Sequence, residues 1–274
     1  MHALDVDRFR ALAAARRAGF AAAVPFPHVV VDDFLDAGAA DTLANEFARL
    51  PDAWTYYRHV NEQKRGFNQL AQMSPAARAI VAQLQSGEFV GSLEVLTGIR
   101  GLFADPELDG GGLHETMPGG FLNVHHDFLS HTTHSHWSRQ LNLLVFLNRG
   151  WQEGWAGWLE LWDAGVTRAG QRIAPVFNRA VLFRTDAQSF HGVPAPVACP
   201  PGETRKSLAL YYFRDEGRAC DLAPTYYVPR PEDRRLRRAL IRIDRWALHA
   251  YSAVKRYTPI GDRVASAILR RLSR

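Results

Sequence analysis

His125, Asp127 and His191 are the residues of this chain best suited to hold a metal ion. The segment Asn123-Val124-His125-His126-Asp127-Phe128 sets a histidine and a carboxylate two residues apart. In an extended backbone positions i and i+2 project from one face, so both can reach one ion. His191, in Ser189-Phe190-His191-Gly192-Val193, offers a third ligand from far along the chain. Two histidines and one carboxylate on one face of an octahedral ion leave three positions open for chemistry. Fourteen residues further on, Arg205-Lys206-Ser207 opens the apolar run Leu208-Ala209-Leu210-Tyr211-Tyr212-Phe213. A guanidinium and a hydroxyl then share one face of an expected strand. A guanidinium fork holds a carboxylate in bidentate fashion, and a cation against a strand apolar on both faces needs an anionic partner.

In this ordered set, His125-x-Asp127, the distal His191 and Arg205-x-Ser207, the chain resembles the 2-oxoglutarate and iron(II)-dependent oxygenase superfamily, within it the prolyl 4-hydroxylase-like branch. The resemblance runs from about Gly110 to Phe213. It implies Fe(II) held by His125, Asp127 and His191, and 2-oxoglutarate whose distal carboxylate is gripped by Arg205 and Ser207. Dioxygen is the other reagent implied, with ascorbate as an accessory reductant. The implied reaction hydroxylates an unactivated C–H bond, on a prolyl or other peptidyl or amino-acid side chain first, with release of succinate and CO2. Two departures stand out: a Pro/Gly-rich loop, Cys199-Pro200-Pro201-Gly202-Glu203, lengthens the gap from His191 to Arg205, and Gly157-Trp158 stands where relatives often carry two glycines. The competing reading is a cupin-like barrel that binds a metal or sugar without oxygen chemistry. Such a barrel has no need of Arg205-x-Ser207, and that pair decides for the oxygenase.

The other histidines are assigned lesser roles. His126 points away from His125 and Asp127 in an extended chain, which makes it a packing residue. Ser130–Trp137, with His131, His134 and His136, is polar and aperiodic and reads as a loop at the pocket mouth; it lacks the spacing of a second metal site. Asn123 shares the His125 face by alternation, and His114 lies upstream; both suit a structural hydrogen bond or ligand orientation.

These residues need a frame of strands. Five are expected, over 121–128, 140–147, 158–162, 180–184 and 207–213, separated by turns such as Asn148-Arg149-Gly150 and Ala169-Gly170-Gln171. Many short strands in series favour a jelly roll or barrel, and the resemblance implies a double-stranded β-helix. Upstream, helices are expected over 5–23, 37–50 and 75–85, with a strand at 26–31, forming a helical buttress. The fold class is thus mainly β with flanking helices: a cupin-like jelly-roll core, an N-terminal helical buttress and a basic helical C-terminal tail.

A hydrophobic content of 47% over 274 residues suffices for a full core. Residues 1–228 are read as the oxygenase domain, with its catalytic core at about 110–215, and 229–274 as a separate tail. The tail carries thirteen Lys or Arg against four acids, a formal charge of +9, leaving −4 for the rest. Leu236, Leu240, Ile243, Ala247, Tyr251 and Val254 recur at spacings of three and four, and Val264, Ile268 and Leu272 repeat the pattern after Pro259-Ile260-Gly261. Two basic amphipathic helices result. They would either dock on the domain or contact an acidic partner or anionic membrane surface; no sequence-specific nucleic-acid motif is present. Residues 1–17 have neither the apolar run of a secretory signal nor that of a spanning helix, and two cysteines give no disulfide framework, so the expected location is cytoplasmic.

Overall fold

The structure, a computed structural model, describes residues 2–50, 54–221 and 223–257. Helix α1 (Val6–Ala22) starts where the Asp5 carboxylate accepts the Arg8 amide at 2.9 Å, an N-cap that satisfies one of the orphan donors of the first turn. Helix α2 (Ala37–Arg49) follows, and α3 (Pro75–Leu84) opens with a Ser74 cap and proline in its first turn. These three match the expected helices to within one residue at each end. Helix α4 (Gly87–Thr97) was not expected, because Gly87 and Gly91 lower its intrinsic propensity. Its signals are the caps: Ser86 accepts the Phe89 amide, and Gly98 ends the helix at φ 74°. Packing then holds it, with Phe9 of α1 stacked on Phe89 of α4 at 5.0 Å.

The strands are β1 (His28–Val31), β2 (Thr55–His59), β3 (Glu62–Phe67), β4 (Leu102–Ala104), β5 (Gly112–Thr116), β6 (Phe121–His126), β7 (Trp137–Phe146), β8 (Leu159–Trp162), β9 (Ala169–Ile173), β10 (Ala180–Arg184), β11 (His191–Val193), β12 (Arg205–Asp215) and β13 (Tyr226–Tyr227). They form one curled antiparallel sheet in the order β1-β10-β7-β12-β5-β3-β6-β11-β8-β9, with β13 on β6, β2 on β3 and β4 on β12. This is the expected mainly β jelly roll with flanking helices. All five predicted core strands are present. Ala169-Gly170-Gln171, predicted as a turn, is instead the start of β9, which borrows its ladder from β8.

Alternation separates two faces. Leu141, Leu143 and Val145 of β7, Ala180 and Leu182 of β10, and Leu208, Leu210 and Tyr212 of β12 join the core beneath the helices. The Tyr212 hydroxyl donates to the Leu84 carbonyl at 2.9 Å, tying that face to α3. The intervening residues Phe146, Val181 and Phe183 face the barrel interior with Leu159, Leu161 and Ile173. By the same two-residue period Arg205 and Ser207, in step with Ala209, Tyr211 and Phe213, fall on the interior side.

Helix α5 (Arg235–Tyr257) rests on β6, β13 and the turn between β2 and β3. Its contacts are mostly polar. Arg237 Nη2 donates to Asn123 Oδ1 at 3.0 Å, Asp244 Oδ2 accepts from Asn61 Nδ2 at 2.5 Å and lies 3.2 Å from His59 Nδ1, and Ile241 is buried between them. The second tail helix expected beyond Pro259 lies outside the described residues.

Burial works against charge on His59, but Asp244 and Glu62 outweigh it and raise its pKa to about 9. A folded pKa above the unfolded value stabilises fully below about 6.5 and is lost as pH rises through 9. Thermal melts of the wild type are therefore expected to fall between pH 7 and 9.5, and those of His59→Gln to fall much less. Equal slopes in the two proteins would remove His59 as the anchor of α5.

Candidate active site

The pairing of β11 with β6 sets His191 directly opposite His125. Opposed residues of an antiparallel pair carry their side chains on one face at contact distance, and the two imidazole centroids lie 4.5 Å apart. Asp127 follows β6 on the same side, with Oδ1 3.5 Å from His125 Nε2 and Oδ2 3.4 Å from His191 Nε2. One ligand atom from each of the three falls within 4.8 Å of the others, a group able to hold a metal ion.

Local backbone fixes how the imidazoles point. His125 Nδ1 donates to the Asn123 carbonyl at 2.8 Å, and His191 Nδ1 donates to the Ser189 carbonyl at 2.9 Å. Each Nε2 is left as the lone-pair atom and faces Asp127, the tautomer a metal ligand requires. Tyr227 packs on the His125 ring at 5.3 Å and Phe183 on the His191 ring at 4.7 Å. Burial pushes His191 down to about 4, so it is neutral at physiological pH. Burial opposes ionisation of Asp127 too, but Arg139, His191 and His125 outweigh it and hold its carboxyl well below the usual range. A neutral imidazole and an ionised carboxylate suit ferrous iron.

Arg139 and Asn142 of β7 complete this support, and sequence reasoning missed both. Asn142 Nδ2 donates to Asp127 Oδ2 at 2.7 Å, while its Oδ1 accepts from Arg139 Nε at 2.8 Å and Thr185 Oγ1 at 3.1 Å. Arg139 lies flat on the Tyr211 ring at 3.3 Å, with Nη2 3.1 Å from Asp127 Oδ2. The available signal was Asn142 itself, an amide inside the apolar run Leu141–Phe146; a polar residue in a buried strand must have a partner.

Across the interior, Arg205 is buried and its Nε donates to the Gly157 carbonyl at 2.7 Å. Gly157 adopts φ 69°, which aims this carbonyl at the guanidinium. Arg205 lies over Phe146 at 5.0 Å, in the same apolar cluster as the Phe183 that packs on His191. Among the described residues no carboxylate pairs with it, and burial alone pulls its pKa down to about 10. Ser207, buried two positions on, lies opposite His114 of β5, whose imidazole burial pushes to about 3. A buried cation without an anion is costly, and the arrangement fits an anionic ligand.

The remaining histidines sort by packing. His126 stacks on Tyr226 at 5.2 Å, the structural place expected of it. In the 130–137 loop His131 Nε2 lies 3.5 Å from Asp105 Oδ2, and His134 stacks on Trp137 at 3.9 Å. No second group with metal-ligand geometry occurs among the described residues. Asn123 is structural, its amide donating to Asn61 Oδ1 at 3.0 Å.

Residues 111–213 match the family described as the 2OG-Fe(II) oxygenase superfamily. Over those residues the chain is similar to that superfamily. That match and the clustered His125, Asp127 and His191 support a 2-oxoglutarate-dependent dioxygenase, with Fe(II), 2-oxoglutarate and dioxygen as its reagents, over the non-oxygenase barrel. Among solved structures it is similar to a prolyl-4-hydroxylase from Pseudomonas putida, at 18% identity and a TM-score of 0.54 over 75% of this chain and 98% of that one. A prolyl hydroxylase from Trichoplax adhaerens, solved with a hypoxia inducible factor oxygen degradation domain peptide fragment, is similar at 16% identity and a TM-score of 0.54, covering 77% and 91%. The α-ketoglutarate-dependent epimerase SnoN of nogalamycin biosynthesis matches at 14% identity and 0.52, covering 84% and 100%. At such identities the likeness is one of fold. No curated protein matches the chain in sequence.

Gly192, next to His191, lets β11 approach β6 closely: a Cβ there would lie 2.8 Å from the Leu122 carbonyl oxygen and 3.0 Å from that of Asn123. Gly192→Ala is expected to push β11 outward and separate the two histidines. Metal affinity, read by titration with Co(II) and its visible spectrum, should fall about tenfold or more, as for lost ligand orientation. Wild-type affinity in a folded Gly192→Ala protein would show that this close approach does not set the ligand geometry.

Proposed function

We infer that His125, Asp127 and His191 hold the Fe(II), and that Arg205 and Ser207 hold the distal carboxylate of 2-oxoglutarate, in a hydroxylase acting on a prolyl or other peptidyl side chain. The observation that carries this reading is the buried, carboxylate-free Arg205 on the interior face that also holds the three clustered ligands. When bound, iron and 2-oxoglutarate supply the oxidising chemistry, with succinate and CO2 released and an unactivated C–H bond hydroxylated.

The chain's own residues bind, orient and exclude water. Arg205 uses Nε on Gly157, which leaves its Nη donors for a carboxylate. Asn142 and Arg139 fix Asp127 and keep it ionised, while Tyr227, Phe183 and Phe146 wall the interior with rings. A dry, aromatic wall protects a reactive centre from side reactions.

The peptidyl substrate is supported by the shared fold with two prolyl hydroxylases, one of them solved with a peptide. A small-molecule substrate is the second reading, supported by the comparable likeness of fold to an epimerase of a biosynthetic route. Residues 1–228 are proposed as the oxygenase domain and 229–274 as a basic segment directed at an acidic partner or anionic membrane surface. Among the described residues no helix is long and apolar enough to cross a membrane. The cytoplasm is proposed as its compartment, in keeping with the free thiols of Cys199 and Cys220.

The test is succinate formation from 2-oxoglutarate by the Fe(II)-loaded protein in air. Slow turnover is expected from the wild type and none from His125→Ala, whereas Arg205→Ala should raise the KM for 2-oxoglutarate about 100-fold, the loss of a charge-assisted pair. An unchanged KM in Arg205→Ala would overturn the carboxylate assignment, and undiminished turnover in His125→Ala would overturn the metal assignment.

A further inference from the structure

Helix α5 docks the wrong way round for an amphipathic helix. Its contacts with the domain come from Arg237, Ile241, Asp244 and Arg245, the last over the Tyr226 ring at 4.3 Å. Its apolar stripe faces out. Leu236 is 74% exposed, Leu240 42%, Ile243 64% and Trp246 72%, and Ala247 and Ala250 continue the line. At 3.6 residues per turn these positions share one side over about 20 Å of helix. They are half of the large exposed apolar side chains of the described protein, gathered on one element, which an accident of surface composition does not produce.

The charge beside this stripe selects what covers it. From Arg235 to Tyr257 the sequence has seven Lys or Arg and a single acid, Asp244, which is turned inward onto His59 and Asn61. Arg235 and Arg242 are exposed next to the apolar stripe, and Trp246 stands at its border with them. A second copy of the helix would set arginines against arginines. A groove that swallows a helix is excluded, because the inner side is already held by its own domain. A flat, anionic surface with an apolar interior meets both requirements.

We propose that α5 is an interfacial anchor that lays its Leu236–Ala250 face into the headgroup region of an anionic lipid bilayer. Its opposite side holds Asn123, whose carbonyl orients His125, and Tyr226 of β13. Docking therefore brings the β6 side of the barrel to within one helix diameter, about 10 Å, of the membrane. This inference does not depend on the oxygenase reading, since its test involves no turnover.

Full-length protein is to be sedimented with vesicles of mixed phosphatidylglycerol and phosphatidylcholine, and with phosphatidylcholine alone. Binding to the mixed vesicles should be at least about tenfold tighter and should weaken with salt. Ile243→Glu and Trp246→Glu should each lower it about tenfold or more while leaving the melting temperature unchanged, because both side chains are exposed. Absence of binding to either vesicle overturns the proposal, as does binding indifferent to Ile243→Glu or equal for the two lipids. A dimer that Ile243→Glu converts to monomer, read by analytical ultracentrifugation, assigns the face to a second copy and overturns it too.

Discussion

The antiparallel register of β11 on β6 is the constraint on which the site depends. Setting His191 opposite His125 decides that two imidazoles from distant parts of the chain meet, and Asp127 joins them because it follows directly on β6. A slip of one residue would turn His191 to the other face. The register is held on both sides, by β6 through His191 and Val193 and by β8 through His191 and Gly192. Gly192 is the residue that permits this closeness, and no side chain could replace its hydrogen without moving a strand.

Electrostatics divides the interior into two unequal halves. At one end Asp127 is matched: Arg139, the two histidines and the Asn142 amide offset the cost of burying it. At the other, Arg205 has one carbonyl and an aromatic ring but, among the described residues, no anion. In a low-dielectric interior such an imbalance costs several kcal/mol, and an anionic ligand would relieve it. The site therefore carries in its charges the demand for an anionic ligand, whereas the metal end carries the demand for a cation in the two aligned Nε2 lone pairs.

How much of this was legible in sequence follows from the range of the interactions. His125 and Asp127 are two apart on one strand, and Arg205 and Ser207 likewise, so alternation alone set each pair on a common face. Strands β6, β7, β8, β10 and β12 were visible because they are buried and apolar. The hairpin of β2 and β3 was not, since its strands are mostly polar, incompletely buried and without apolar alternation. Arg139 escaped for a related reason: it stands ahead of the apolar run, and a pairing with the segment after Asp127 that sequence does not show, Arg139 N to Leu129 O at 2.8 Å, brings it there. In the 130–137 loop the absence of a second metal site was legible from spacing, whereas the contacts with Asp105 and Trp137 that hold His131 and His134 were not.

Helix α5 shows the same limit in a sharper form. Periodicity identified its apolar stripe but not the direction the stripe would face. Burying a Leu, Ile or Trp side chain contributes about 1.5–3 kcal/mol, while exposed ion pairs contribute about 0–1 kcal/mol. A helix free to choose would turn Leu236, Leu240, Ile243 and Trp246 inward. That it docks through Arg237, Asp244 and Arg245 means the edge it meets is polar, lined by Asn61, His59 and Asn123, and specific to those partners. The Asn123 that Arg237 grips also supplies the carbonyl that orients His125, so the seat of the helix and the metal-facing imidazole share one residue. The apolar area left on the outer face is then available to whatever covers it.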